Sequence, residues 1–376
     1  MDTAALSLYI HFPWCRNRCG YCDFNTYVMD ESQRGQSVVP YLNAMDAELS
    51  RVGHSASNHV VTTIYFGGGT PSLMAAEDYD YLLDSIHHVF EVDPHAEITT
   101  EANPETLTLA HLERIRATGV NRLSLGMQSA VPEVLKTLDR VHTPGRVLDV
   151  VEWAREAGFD NLSLDLIYGT PGESMHDWET SIDVALSLDP DHLSAYSLIV
   201  EDGTPMARWI AAGVLPDVDE DDLADKYIRA DELFYAAGFS WYEVSNWSHP
   251  GFECQHNLAY WHGDSWRGIG AGAHSHDGRS RWWNSKYPPT YVSAITTGSS
   301  PVTSREILTE EQKRIEEIML GLRLAEGVEY SLLTDSELTR AERFLISGHL
   351  LRRGSRLICT LKGRLIADGI VRDILD

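Results

Sequence analysis

Over its first 200 residues the chain alternates strand-like and helix-like stretches about six times, and this rhythm limits its fold more than any other feature. Strand-like runs fall at 6–10, 60–66, 96–100, 122–126, 161–168 and 192–200. Between them, 41–52, 76–90, 109–117, 144–157 and 177–188 carry apolar residues at helical spacing. The connections are short and rich in Gly and Pro. Such alternation builds right-handed βαβ units around a parallel sheet, open or closed into a barrel. Sheets of this kind place their sites just past the C-terminal ends of the strands. Polar and glycine residues collect there: Gly67-Gly68-Gly69-Thr70-Pro71, Glu101-Ala102-Asn103-Pro104, Gln128 and Asp165.

The rhythm stops after residue 200. A long acidic helix is expected over 219–237, and 240–300 is rich in Trp, Gly, His and Pro without clear periodicity. Thr309 with Gln312 forms a capping-box signature that opens a helix over 309–326. A further helix is expected over 335–347. The tail, 349–371, reads as a short helix and two strands. This divides the chain into a core barrel at 1–205, an extension and linker at 206–300, and a small winged-helix-like domain at 301–376.

With 376 residues and 43% hydrophobic content, the chain can bury a substantial core. A net charge of −26 argues against nucleic acid, because like charge repels the phosphate backbone. The winged-helix-like tail is therefore expected to pack or to contact protein. No run approaches the roughly 18 apolar residues of a membrane helix. Nothing at the N-terminus reads as a signal peptide, since Cys15 arrives too early. The five cysteines do not form a disulfide framework, so a reducing cytoplasm is the expected compartment.

Three of those cysteines stand together. Cys15, Cys19 and Cys22 are spaced C-x3-C-x2-C directly after the first strand, among Tyr9, Phe12, Trp14, Tyr21 and Phe24. Three thiols are one fewer than a closed zinc site or a fully protein-ligated iron–sulfur cluster needs. The bland readings are a zinc knuckle or three buried thiols. The sharper one is a [4Fe–4S] cluster with one iron left open.

This spacing after a short N-terminal strand resembles the radical S-adenosylmethionine (SAM) superfamily. The resemblance implies an α/β fold, a partial (β/α)6 TIM-like radical SAM barrel with a small C-terminal helical, winged-helix-like domain. It also implies that SAM chelates the open iron, where reductive cleavage yields a 5′-deoxyadenosyl radical. YIHFPWCRNRCGYCDFN, IYFGGGTPS, EANPE, LSLGMQS, LDRVHT and LDLIYGTPGES follow in order. Together they resemble the branch holding oxygen-independent coproporphyrinogen III oxidase and the HemW haem chaperones. Carried over from that branch, the SAM contacts are Tyr9, Gly68, Gly69, Thr70, Glu101, Gln128, Arg140 and Asp165, with Tyr21 beside them in the loop. Glu101 and Asp165 suit ribose hydroxyls and an ammonium group, and Arg140 suits a carboxylate. Glycines let backbone approach a ligand closely.

Within the branch, the oxidase has a fourth cysteine two positions past the third, and an N-terminal extension. Here that position is Phe24, and Cys15 lies close to Met1. His256-Asn257-Leu258-Ala259-Tyr260-Trp261 matches the H-N-x-x-Y-W motif of the HemW family, which is associated with haem, and GIGAGAHS follows in register. Imidazole is a common haem ligand, and Tyr and Trp offer flat apolar surface. The same residues also read as satisfied core side chains. Cys254 is a second candidate ligand or an inert thiol, His274 and His276 are ambiguous, and Cys359 is expected in a core.

The resemblance thus implies a haem carrier rather than an oxidase. Its cofactors are a [4Fe–4S] cluster, SAM and haem, and its partners apo-haemoproteins, membrane respiratory enzymes among them. The expected location is cytoplasmic, with a peripheral membrane place and a homodimer left open. The rival is a radical SAM coproporphyrinogen III oxidase.

Overall fold

A computed structural model describes residues 4–29, 32, 34–56, 58–140, 143 and 145–376. Val141 and His142 of the LDRVHT motif, and Pro144, lie outside the described residues.

Six strands form the core: β1 (Ala4–Phe12), β2 (His59–Gly68), β3 (Glu91–Ala102), β4 (Arg122–Gln128), β5 (Asn161–Tyr168) and β6 (His192–Ser197). They lie side by side in that order, all parallel. Each alternates two kinds of residue, because successive side chains point to opposite faces of a strand. On β1, Leu6, Leu8, Ile10 and Phe12 are buried against the helix layer. On β4, Leu123, Leu125 and Met127 do the same, as do Leu162, Leu164 and Leu166 on β5. The crossover helices supply the opposing apolar faces, among them Tyr41, Met45 and Leu49 of Arg34–Ser55 and Trp178 and Ile182 of Met175–Ser187. The other face of the sheet carries mostly polar residues, and this is where the site lies.

The stretch without periodicity extends the same sheet. It contributes β7 (Ser240–Glu243), β8 (Asn246–Ser248), β9 (Trp266–Ile269), β10 (His274–His276) and β11 (Ser280–Asn284), followed by β12 (Val302–Ile307). Beyond β6 lie β8 and then β7, antiparallel. Beyond β1 lies β9, parallel, and then antiparallel β10, β11 and β12. The resulting twelve-stranded sheet is open, an incomplete barrel with β7 and β12 at its edges. Five strands of three to five residues were too short to leave a period in the sequence.

The C-terminal part has its own core of Ile318, Leu322, Val328, Phe344, Leu350, Leu357, Ile370 and Ile374. Helices Glu310–Gly321 and Asp335–Ile346 pack with a small antiparallel sheet of β13 (Val328–Glu329), β14 (Leu350–Arg353) and β15 (Arg356–Cys359). Thr309 and Gln312 make the expected reciprocal cap at 2.8 and 3.2 Å. The tail differs from its sequence reading: the two strands come first, and helices Leu361–Arg364 and Ala367–Leu375 follow. Its last helix buries Ile370, Val371 and Ile374, a spacing that short strands could also carry. We propose the division at 205/206 and 300/301 as domain boundaries, with β12 shared into the main sheet through its pairing with β11. Among the described residues, no helix is long and apolar enough to cross a membrane.

Candidate functional site

Strand register stacks the inward side chains in layers. Tyr9, Tyr65, Thr99, Arg122 and Asn161 pair in sequence across β1 to β5. Glu101, Ser124, Ser163 and His192 pair one layer higher, and Gly126, Asp165 and Ser194 above them. The layers surround a cavity of about 770 Å³, whose mouth is formed by the cysteine loop and whose floor is reached by Arg122, Cys254 and Asn257.

Cys15, Cys19 and Cys22 are half-buried and all face this cavity. Burial raises the thiols of Cys15 and Cys22, opposed by hydrogen bonds from Thr70 and from the Phe24 backbone respectively. Metal ligation must therefore displace protons. Arg140 Nη1 donates to Cys19 Sγ at 3.6 Å and Nη2 to the Gly126 carbonyl at 3.1 Å. Its Nε is buried with no hydrogen-bond partner among the described residues. Among the described residues no three His, Cys, Asp or Glu side chains converge as a single metal ion requires. A cubane cluster takes its thiolates at separate corners, so a cavity ringed by three cysteines fits it better than zinc.

The loop is held from below and from the side. His11 Nε2 lies 3.1 Å from the Asn25 carbonyl, and the Asn25 amide donates to Ala271 O at 3.1 Å and Lys286 O at 2.9 Å. The GIGAGAHS segment thus serves as a backbone dock for the loop. Gly68 sits at φ 118°, where a side chain is strained, and a Cβ at Gly69 would lie 2.6 Å from the Trp14 carbonyl. The glycines therefore bring bare backbone against the cysteine loop.

Among the carboxylates that line the cavity, two stand on the sheet itself, Glu101 on β3 and Asp165 on β5. Glu101 accepts from the Tyr65 hydroxyl at 2.9 Å and from Gly68 N–H at 3.2 Å. Burial pushes it up to about 7 despite those bonds, and nearby Asp165 adds to the rise. Asp165 accepts from Ser124 at 2.9 and 3.1 Å and from Ser163 at 3.2 Å, and burial raises it as well. Gln128 ends β4 at φ 64°, a conformation that costs a non-glycine residue about 1–3 kcal/mol and that gathers at ligand sites.

The structure brings Tyr21, Gly68, Gly69, Thr70, Glu101, Gln128, Arg140 and Asp165 to one cavity with the three cysteines. Tyr9 stands apart: it lies a layer lower, its hydroxyl 3.0 Å from His11 Nδ1, and supports the loop rather than lining the cavity. His256, Tyr260 and Trp261 also stand outside it. They sit on the helix Gln255–Trp261, which packs on β2 at the barrel floor. His256 is 1% exposed, with Nδ1 2.8 Å from Thr63 Oγ1 and Nε2 2.9 Å from the Tyr260 hydroxyl. Burial lowers its imidazole to about 3. The Trp261 indole donates to Glu243. From the motif only Asn257 reaches the cavity. Cys254 donates to Glu97 at 3.6 Å, and burial raises its thiol to about 12, as befits an inert thiol. His274 and His276 stack on Trp283 and Trp266, away from the cavity, and Cys359 is buried in the C-terminal core.

Sequence reading missed Tyr65, Arg122, Ser124, Gly126 and Ser163. The signal was present: RLSLGMQ and NLSLDLIY alternate polar and apolar residues, whereas a parallel strand covered on both faces is apolar throughout.

The fold and the cysteine-ringed cavity define the class. Residues 9–185 match the model of the radical SAM superfamily. The solved structure titled as coproporphyrinogen III oxidase (HemN) from Escherichia coli superposes with a TM-score of 0.86 at 23% identity, over 99% of this chain and 90% of that one. The heme chaperone HemW of Mycobacterium tuberculosis H37Rv is 46% identical over 375 residues, 100% of this chain and 96% of its own. The Bacillus subtilis heme chaperone HemW is 38% identical over 323 residues, 86% of this chain and 84% of its own. The chain belongs to the HemW family of radical SAM proteins.

Proposed function

We propose that this protein is a haem chaperone: it binds haem and passes it to apo-haemoproteins, membrane respiratory enzymes among them. The observation that carries the reading is the 46% identity, over the whole chain, to relatives bearing that name. In this reading Cys15, Cys19 and Cys22 hold a [4Fe–4S] cluster and SAM occupies its open iron. When bound, the cluster supplies one-electron reducing chemistry. Around it, the backbone at Gly68 and Gly69 receives the methionine end of SAM, and Arg140 pairs with its carboxylate. Glu101 and Asp165 accept from its hydroxyl and ammonium groups. The 65% exposed Phe24 takes the loop position at which the oxidase branch has its further cysteine.

The test is anaerobic reconstitution followed by haem titration of the wild type and a His256→Ala variant, read by the Soret band. Saturable binding that weakens by about tenfold in the variant is expected, equivalent to 1.4 kcal/mol. Transfer is then followed to an apo-haemoprotein. Absence of haem binding, or formation of protoporphyrinogen from coproporphyrinogen III, would overturn the reading.

Glu101 gives SAM binding a pH dependence. Burial pushes its carboxyl up to about 7, and a cationic ligand with hydroxyl donors favours the ionised form. Bound SAM therefore lowers that pKa, and binding releases a proton below pH 7. Affinity should rise about tenfold from pH 6 to pH 8 and level off above, following the ionised fraction. Calorimetric titration in buffers of different ionisation enthalpy checks this, and an affinity that is flat or falls with pH removes Glu101 from the site.

A further inference from the structure

The floor of the cavity holds a cation that the ligand contacts named above do not use. Arg122, the first residue of β4, lines the cavity although it is only 2% exposed. Its Nε is buried with no hydrogen-bond partner, and among the described residues the guanidinium makes neither a hydrogen bond nor an ion pair. Burying a charged group in this way is costly, and buried arginines are ordinarily paired.

The acceptors around it are engaged elsewhere. Glu97 accepts from the Cys254 thiol at 3.6 Å and from the backbone N–H groups of Gln255 and His256, both at 3.1 Å. Asp165 accepts from Ser124 and Ser163, and Glu101 from Tyr65 and the Gly68 N–H. His192, which lines the same cavity, has its two ring nitrogens 2.8 Å from Ser163 and 2.8 Å from Tyr242. Burial opposes the charge on Arg122, but Cys254, Glu97, Tyr242 and Tyr65 around it hold the charge in place. The floor therefore presents a fixed, planar set of donors with no acceptor supplied by the protein. A carboxylate matches that fork with its two oxygens. A dianionic phosphate matches it less well, because Glu97 and Asp165 nearby repel the second charge.

We propose that Arg122 anchors the carboxylate of a second ligand at the floor of the cavity, apart from the contacts assigned to SAM. Asn257, the motif residue that reaches the same floor, then stands beside that ligand. Two sources share this chemistry: a propionate arm of a porphyrin that enters from the mouth, and a small free carboxylic acid. The subsite itself stands on Arg122 and needs neither SAM nor haem. Only its porphyrin source rests on the proposed function.

The experiment uses the full chain with its cluster reconstituted. Haem and haem dimethyl ester, which lacks the carboxylates, are titrated into the wild type, Arg122→Met and Arg122→Lys. The unfolding midpoint of each protein is read with propionate and with neutral propionamide at matched ionic strength. If the carboxylate is a porphyrin's, haem should bind the wild type about tenfold tighter than its ester. That ratio should fall to within about twofold of one in Arg122→Met, and Arg122→Lys should keep only part of it. If the carboxylate is a small acid's, haem and ester should bind alike. Propionate, but not propionamide, should then raise the wild-type midpoint and leave that of Arg122→Met unmoved. Either pattern upholds the subsite. Without ligand, Arg122→Met should unfold at a midpoint no lower than the wild type's, because it removes an unpaired buried cation. A lower midpoint with both ligand comparisons unchanged makes Arg122 structural and overturns the proposal. So does equal binding of haem and ester together with midpoints that ignore propionate. Haem carriage survives both of those results. Propionate that protects through Arg122 in a protein that binds no haem upholds the subsite and overturns the proposed function instead.

Discussion

Cys15→Ala, Cys19→Ala and Cys22→Ala should each strip the reconstituted protein of iron and sulfide, and abolish the broad visible absorbance of an iron–sulfur cluster. Each of the three cysteines lines the cavity, and no other cysteine stands in reserve. Cys254 lies on the cavity floor with its thiol held protonated by burial, and Cys359 lies in the separate C-terminal core. With two thiolates left and two irons open, the cluster is exposed to solvent and lost. The fold should hardly notice. All three side chains are only half-buried, so truncation to Ala leaves little cavity and costs on the order of 1 kcal/mol. The informative result is therefore loss of iron with unchanged far-UV circular dichroism. A triple variant that keeps its iron and its spectrum would sink the cluster assignment.

Lys226→Met should be the most damaging single change away from the cavity. The Lys226 ammonium has no solvent exposure. It donates to the Glu173 carbonyl at 2.7 Å and to Asp222 at 2.6 Å, and lies 3.4 Å from the Glu173 carboxylate. Glu173 in turn accepts from Gly169 N–H at 2.7 Å, closing the turn that follows β5. The pair therefore ties the acidic helix Glu220–Ala236 to the C-terminal end of a site-bearing strand. Removing the cation leaves a buried carboxyl that must protonate and a buried Glu173 carbonyl without its donor, which together cost about 1–3 kcal/mol. The midpoint of chemical unfolding at neutral pH reads that loss. The sign with pH also follows. Burial raises Glu173 to about 7 in the folded wild type, so its ionisation weakens the fold as pH rises from the unfolded carboxyl range towards 7. Without Lys226 the carboxyl rises further, so Lys226→Met should be closest to wild type in acid and furthest from it above neutrality. Adding Glu173→Gln should recover part of the loss. A single variant as stable as wild type at pH 8 would show that the pair contributes nothing.

Much of the architecture was legible because it depends on local pattern. The strands at 161–168 and 122–128, and the helix at 109–117, announce themselves through period and punctuation, and the structure places them where those signals fall. The strands between 240 and 284 were not legible. Each is three to five residues long, and each is decided by a neighbour far away in sequence, as β9 is by β1. The candidate site divides the same way. Residues that carry spacing, such as the three cysteines, Gly68 and Gly69, could be named from sequence. Ser124 and Ser163 carry in sequence only the alternation of their strands; their role emerges once Asp165 is found diagonally across the register from the first and two residues along the strand from the second.

By itself the sequence determined the cysteine triad, the glycine loop, the βα rhythm and the family, since each is a matter of residue type at fixed spacing along one segment. Only the tertiary structure decided which face of the sheet holds the site, that Tyr9 braces the loop instead of lining the cavity, and that His256 is closed between Thr63 and Tyr260. Those are distances between side chains up to 193 residues apart in the chain, and strand pairing sets them. The physical reason is that spacing encodes which groups are available, while burial and hydrogen bonding across the lumen decide which of them remain free to bind.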